Sequence, residues 1–341
     1  MIEFQELNGD QRREVVNTRQ RFTAYRQAED RAKEYRGSMV WSTSNGREYL
    51  VRSRYAKSGM RRQTSLGPRS EKTEMIKLEY ERGRTEAEAR LENLQATLDR
   101  QAAINRALGL GRVPLIGAKI IRALDRAGML GSAIRVIGTN AIYAYEAAAG
   151  VRIDPGLTTT DDIDLLFDTR RNLTFVTIDD IPQPSLLKLL RKIDHSFTRS
   201  VQAFRATNSE GYLVDLIKPL RNPPWKKHRE QIGADAEDLS ATEIEGLAWH
   251  ENAPVFEAIA IDERGEPCRI VTSDPRVWAA HKLWLSKRAD REPIKRRNDE
   301  AQAETVGRLV AKYMPNLPYV ADELRVLPKT VFDDAKSLFA Q

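Results

Sequence analysis

The chain has a single cysteine, Cys268, in 341 residues, so no internal disulfide can form. It has no apolar run approaching the roughly 20 residues that a membrane-spanning helix needs. Its opening, Met1-Ile2-Glu3-Phe4-Gln5-Glu6-Leu7, is acidic and lacks the apolar centre of a secretory signal. No internal repeat or low-complexity segment stands out, and His281 has no His or Cys cluster to match it. These absences argue against a disulfide-stapled scaffold and a membrane span, and the expectation is a soluble cytoplasmic protein. What is present is a 41% hydrophobic content, enough for a real core, and 30% charged residues, enough for a very polar surface. The net charge of +6 and pI near 9.3 permit binding to nucleic acid or nucleotides.

Length sets an expectation of two or three domains. Residues 9–36 are polar and helix-favouring, with a thin stripe of Val15, Val16, Phe22 and Tyr25. Asn45-Gly46 then sits between two β-favouring runs, a strong hairpin signal. A second turn at Lys57-Ser58-Gly59 extends it to a ribbon that ends near Pro68. Residues 71–108 read as one long helix, with Leu91, Leu94 and Leu98 on one face. The ribbon carries Arg47, Arg52, Arg54, Lys57, Arg61 and Arg62 among Trp41, Tyr49 and Tyr55. Base stacking with phosphate contacts is one reading. A solvated ribbon whose aromatics pack on the arm is the other.

The chemistry concentrates in residues 136–168. A short apolar run, Ile134 with Val136 and Ile137, meets Gly138-Thr139 and passes into a helical segment over 140–149, closed by Gly150. After a loop with Pro155 and Gly156, Asp162-Ile163-Asp164-Leu165-Leu166-Phe167 reads as a strand. Alternation puts Asp162 and Asp164 on one face, with Asp161 on the other. Two such carboxylates repel, and a hard divalent cation such as Mg²⁺ relieves that cost. Glycine lets the backbone approach a ligand closely, Thr139 is placed as an N-cap, and the helix start beyond it, beginning at Asn140, favours a phosphate. Each feature alone is common. Their order is what carries weight, together with Asp215, an acid inside the apolar run Tyr212-Leu213-Val214-Asp215-Leu216-Ile217. Such an acid needs a partner, either a metal or a core arginine.

Gly138-Thr139 followed by Asp162-Ile163-Asp164 resembles the signature of the DNA polymerase beta-like nucleotidyltransferase superfamily. With the later segment over 274–288 (D-P-R-V-W-A-A-H-K-L-W-L-S-K-R), the chain looks more closely like a bacterial branch of stand-alone nucleotidyltransferase-fold proteins, over about 138–303. The gap between Thr139 and Asp162 is longer than in many superfamily members, which makes 154–160 an insertion. The resemblance implies that Asp162 and Asp164 hold two Mg²⁺ ions, and that Asp215, a third acid on a neighbouring strand, ligates one of them and helps deprotonate the acceptor hydroxyl. It implies that Gly138, Thr139 and Asn140 hold the phosphates of a nucleoside triphosphate, and that Lys282 and Arg288 lie in a signature helix from which basic groups reach triphosphate oxygens. The alternative for Lys282 is a lysine whose stem packs on Trp278.

Further elements are expected as a helix over 113–131, a strand over 173–176, a helix over 184–193, an antiparallel pair over 197–206 and 211–217, and a hairpin over 255–271. Asp274-Pro275 opens a helix as N-cap and N1, a second follows from Pro293, and the tail after Met314 reads as loop and short helices. The expected fold is α+β, a small mixed sheet bearing the acids, with domains at 1–110 (helical arm with basic ribbon), 111–220 (nucleotidyltransferase core) and 221–341 (C-terminal α/β and helical). The expected reaction moves a nucleotidyl group from a triphosphate to a hydroxyl and releases pyrophosphate. The basic arm points to RNA or a tRNA end as acceptor, with a protein hydroxyl, a small molecule and a toxin or phage-defence role left open. The competing class is a nucleic-acid-binding module that keeps the fold without turnover.

Overall fold

A computed structural model describes residues 4–55, 61–170, 185–223, 225, 229–233 and 235–340. The expected turn at Lys57-Ser58-Gly59 and the expected strand over 173–176 lie outside these residues. Strand β1 (Gln5–Glu6) precedes helix α1 (Gly9–Glu34). Asn8 starts that helix by a reciprocal capping box with Gln11. Strands β2 (Ser38–Ser44), β3 (Arg47–Tyr55) and β4 (Arg61–Pro68) form an antiparallel ribbon. Its first turn is the expected one: Asn45 at φ 49° and Gly46 at φ 74° give the left-handed pair of a hairpin turn. Helix α2 (Glu71–Ala107) follows, capped by Ser70 and Thr73. At 1.5 Å per residue its 37 residues span about 55 Å.

Polar contacts bind α1 to α2 and anchor both to the rest of the chain. Thr18 Oγ1 donates to Asn105 Oδ1 at 3.1 Å, Arg26 pairs with Asp125 at 2.6 Å, and Asn105 Nδ2 donates to the Gly265 carbonyl at 2.8 Å. The ribbon is held to the arm by Arg52, which is buried. Its guanidinium donates to Tyr80 Oη and to the carbonyls of Glu34 and Arg36. Arg52 is therefore a bracket of the arm and not part of an open basic face, whereas Arg47, Arg54 and Arg62 are exposed. Arg52→Ala is expected to lower Tm by several degrees, because the partly buried Tyr80 and two carbonyls lose a charged donor. Arg54→Ala with Arg62→Ala should leave it unchanged. Equal melting of both variants would show that Arg52 is not a bracket.

Helix α3 (Leu115–Arg126) is shorter than the expected 113–131, since Pro114 occupies its start and Gly128 at φ 65° lies beyond its end. Strand β5 (Ile134–Ile137) leads through a 3-10 turn (Gly138–Ala141) into α4 (Ile142–Ala149), ended by Gly150 in the left-handed conformation. Strand β6 (Val151–Arg152) and the one-turn helix α5 (Pro155–Thr158) precede β7 (Asp162–Phe167). Helix α6 (Leu186–Ile193) comes next. In place of one strand over 197–206 there are two short ones, β8 (Thr198–Arg199) and β9 (Arg205–Thr207), before β10 (Leu213–Pro219). Strand β11 (Thr242–Ile244) and helix α7 (Leu247–Asn252) complete this part.

The sheet is small and mixed, in the order β5-β7-β10-β9-β8, with β11 beside β10. Strand β7 runs antiparallel to β5 and parallel to β10. The fold class is α+β, as expected. The hairpin β12 (Val255–Ile261) and β13 (Pro267–Ser273) packs on this body, with Cys268, Ile270 and Val271 in one buried cluster with Ile163 and Val214. Helices α8 (Pro275–Ser286), α9 (Pro293–Tyr313) and α10 (Lys329–Ala335) form a second cluster around Trp278, Val306 and Phe332. Asp274 caps α8 as expected, through Oδ1 to the Arg276 N–H, and Pro275 is its first helical residue.

Candidate active site

The two acids of β7 are brought together with the turn that leaves β5. Strand pairing sets Ile137 opposite Asp164, which carries the Asp164 side chain under Gly138. Gly138 has φ 65°, and a Cβ placed there would lie 2.1 Å from Asp164 Oδ2. Only glycine fits. On the other side of β7 the parallel register sets Asp215 opposite Asp164. Asp162 and Asp164 thus share one face, as the alternation predicted, and the register brings Asp215 beside them. Asp161 lies outside the strand, its carbonyl accepting from the Leu213 N–H at 2.9 Å.

Burial, and then the charges of Asp162 and Asp215, push the Asp164 carboxyl up to about 7. Lys282 and Arg291 oppose this from α8 and its C-terminal side. Both cations are tied to buried Asp299, Lys282 Nζ at 2.7 Å from Oδ1 and Arg291 Nε at 2.9 Å from Oδ2. The Tyr212 phenol is also raised, by burial first and then by Asp162. Asp215 has its own counter-ion. Arg205 on the adjacent strand holds it with two hydrogen bonds, Nε to Oδ1 at 2.7 Å and Nη2 to Oδ2 at 2.6 Å. The arginine partner weighed from sequence is therefore present in the structure.

The turn itself is fastened from the C-terminal helices. Trp278 Nε1 donates to the Gly138 carbonyl at 3.1 Å, and Gln302 Nε2 donates to Thr139 Oγ1 at 3.2 Å and to the Leu157 carbonyl at 2.8 Å. Thr139 is not an N-cap: it lies inside the 3-10 turn, and α4 starts at Ile142, with Ala141 at its N-cap position and no side-chain cap. Asn140 Nδ2 donates to the Asp162 carbonyl at 2.7 Å, which locks the turn to β7. The segment over 154–160 braces the same place. Thr160 Oγ1 donates to Asp162 Oδ1, and the carbonyls of Leu157 and Thr158 accept from Gln302 and Tyr143.

Gly138, Thr139, Asn140, Asp162, Asp164 and Asp215 are therefore one constellation. Lys282 stands behind it, buried, with its ammonium 5.4 Å from the Trp278 ring centre. Arg288 is engaged elsewhere, with Asp290 and Glu245 at its guanidinium and the Trp284 ring 4.7 Å away. Sequence reasoning did not find Arg205, Arg291, Asp299 or Gln302 as site residues. Arg205 sits in a β-favouring run ten residues before Asp215, which a hairpin pairing would have suggested. His281 is not alone: its Nδ1 is 2.9 Å from His250 Nε2, and burial depresses both rings, so the pair is a neutral packing element.

Among the described residues, no group of three or more His, Cys, Asp or Glu side chains is arranged to hold a metal ion. Mg²⁺ asks for less, since it is held by one or two carboxylates and completes its shell with water and substrate phosphates. Asp162 and Asp164 meet that requirement. They are hard oxygen donors on one face, and burial and the neighbouring acids raise the Asp164 carboxyl, a cost that a bound cation would relieve.

In comparison with known proteins, a family model described as Nucleotidyltransferase matches residues 117–325, more than half of the chain. No curated protein and no solved structure matches it.

Proposed function

The chain belongs to the nucleotidyltransferase family, and from that premise we propose that it is a Mg²⁺-dependent enzyme of the DNA polymerase beta-like kind, transferring a nucleotidyl group to a hydroxyl. The observation that carries the reading is the seating of Asp164 under Gly138 beside Asp162 and Asp215. Asp162 and Asp164 would hold Mg²⁺, which when bound supplies charge neutralisation and polarisation of the triphosphate. The turn over 138–141 presents backbone N–H groups to phosphate oxygens, and Asn140, Trp278 and Gln302 keep that turn rigid. Lys282 and Arg291, fixed by Asp299, give the site a positive wall. Asp215 takes the acceptor's proton as the acceptor oxygen bonds to the α-phosphorus and pyrophosphate leaves. Arg205 orients it.

The ribbon supports RNA as acceptor. Residues 36–69 hold eight Lys or Arg against one Glu, a net of +7 against +6 for the whole chain. Transfer to a tRNA end would block its charging, the chemistry of a toxin or defence effector. The rival reading, a binding module without turnover, has one observation in its favour, the closure of both Asp215 oxygens by Arg205.

The deciding experiment incubates each labelled triphosphate with Mg²⁺ and total RNA or lysate, using the parent and Asp215→Asn. The expected result is transfer by the parent and a loss of about 10²–10⁴-fold in the variant, with triphosphate affinity and Tm retained. A purely structural Asp215 would instead lose stability, binding and any transfer together. Transfer at the parental rate by folded Asp215→Asn would remove it from the mechanism, and no transfer by the parent would leave the binding module.

A further inference from the structure

A groove of about 500 Å³ runs between α3 and α6, away from the constellation described above. Its walls carry Lys119, Arg122 and Arg126 from α3, Lys192 from α6 and Arg264 from the β12–β13 turn, against one acid, Glu266. Arg122 is neutralised by Asp262 at 2.6 Å and Glu266 at 3.4 Å. Lys119, Arg126, Lys192 and Arg264 are exposed, and among the described residues none has an acidic partner within ion-pair distance. The other nearby acids are occupied. Asp125 is shared by Arg26 and Arg269, and Glu263 accepts from the Leu115 N–H.

This clustering is not a sample of a generally basic surface. Without residues 36–69 the remainder of the chain sums to −1. Several buried or half-buried arginines of that remainder are paired within the fold, as in Arg112–Glu146, Arg170–Asp168, Arg205–Asp215 and Arg276–Asp274. Here four open cations share one groove.

The position of the groove suggests its occupant. Helix α3 has two working faces. A Cβ on Gly117 would lie 3.4 Å from Asn140 Oδ1 and 3.3 Å from Tyr212 Oη, so that face abuts the active site. Lys119 and Arg126, on the groove face, are seven residues apart, about 10.5 Å along the helix. At the far wall, the Arg264 carbonyl accepts from Arg106 of α2 at 2.8 Å, so the groove ends at the root of the arm. Its floor is aliphatic, with Ala123, Leu189 and Ile193, and no aromatic ring lines it. It therefore offers repeated positive charge without a stacking platform.

We propose that this groove is a sequence-independent track for the phosphate backbone of a single-stranded nucleic acid, starting at the root of the arm. That the bound strand is the acceptor rests on the nucleotidyl-transfer reading, but its binding does not.

The test is binding of a fluorescein-labelled oligouridylate, between about 50 and 200 mM salt, to the full chain and to the triple variant Lys119→Ala, Arg126→Ala, Lys192→Ala. Removing three phosphate contacts should reduce the slope of log Kobs against log salt by about 2 and weaken binding at least tenfold at low salt. Tm and Mg-ATP affinity should be unchanged, because the three side chains are exposed and outside the site. An oligoadenylate should give the same result. An unchanged slope, or failure of the parent to bind, would overturn the proposal. So would displacement of the RNA by polyglutamate at equal charge concentration, since the groove would then be a site for acidic protein. If the slope falls as expected and the parent transfers no nucleotide, the track stands and the catalytic reading fails.

Discussion

Asp162→Asn and Asp164→Asn should each reduce nucleotidyl transfer by about 10³-fold or more and weaken Mg-nucleotide binding, while making the protein more stable above neutral pH. The loss follows from the carboxylates' role, since each supplies ligand charge that the amide lacks. The gain follows from the burial of Asp164 and then from repulsion among the acids. Asp164 ionises near 7 in the folded chain against 3.8 ordinarily. Between those values the folded protein keeps a proton that the unfolded chain has released, so the parent loses stability as pH rises through that window. Asparagine carries no such cost. The variant should melt with the parent below about pH 4 and above it at pH 8, by on the order of 1–3 kcal/mol after solvent screening. The same titration predicts that the parent's Mg-nucleotide affinity climbs as pH passes 7 and then levels, while the affinity of Asp164→Asn stays flat. Melting curves and nucleotide titrations across pH check all three statements. Parental binding and transfer by both variants would place the site elsewhere.

Gly138→Ala should be far more damaging than Gly150→Ala, although the two glycines have nearly the same backbone. Their φ angles are 65° and 68°. At Gly150 a Cβ meets nothing within 4 Å, so alanine there costs only the left-handed conformation, about 1 kcal/mol. At Gly138 the added Cβ falls 2.1 Å from Asp164 Oδ2 and 3.1 Å from its Cγ. Either the carboxylate or the turn must move, and the turn is held by Trp278, Gln302 and Asn140. Displacing a reacting group by about 1 Å costs on the order of 10²-fold in rate. Transfer should therefore fall by at least that factor in Gly138→Ala and stay near the parental rate in Gly150→Ala. If the two variants lose similar amounts of activity and stability, Gly138 is only a turn glycine.

Much of this chain was legible because its signals are local. Asn45-Gly46 states its turn through the φ angles those two residues accept, and Asp274-Pro275 states its helix start through a cap a few residues long. Strand alternation alone put Asp162 and Asp164 on one face and set Asp161 on the other. Local signals also misled. Thr139 before a helical segment looks like a cap, but Gln302, 163 residues away, takes its hydroxyl and the turn tightens to 3-10. Arg52 looks like one more ribbon arginine until the arm folds Tyr80 against it.

By itself the sequence determined the arm, the ribbon, the helix boundaries set by caps, and the pair of acids on one strand, because each depends on sterics within a few residues. The tertiary structure alone decided which charges meet. Antiparallel pairing of β9 with β10 gives Asp215 to Arg205, and parallel pairing of β7 with β10 sets it beside Asp164. Packing of α8 and α9 gives Lys282 and Arg291 to Asp299, and the approach of α3 to α6 gathers four open cations into one groove. The physical reason is range. A turn or cap is settled by neighbours in the chain, whereas a carboxylate's charge state is settled by register and burial, which bring together residues that the sequence keeps far apart.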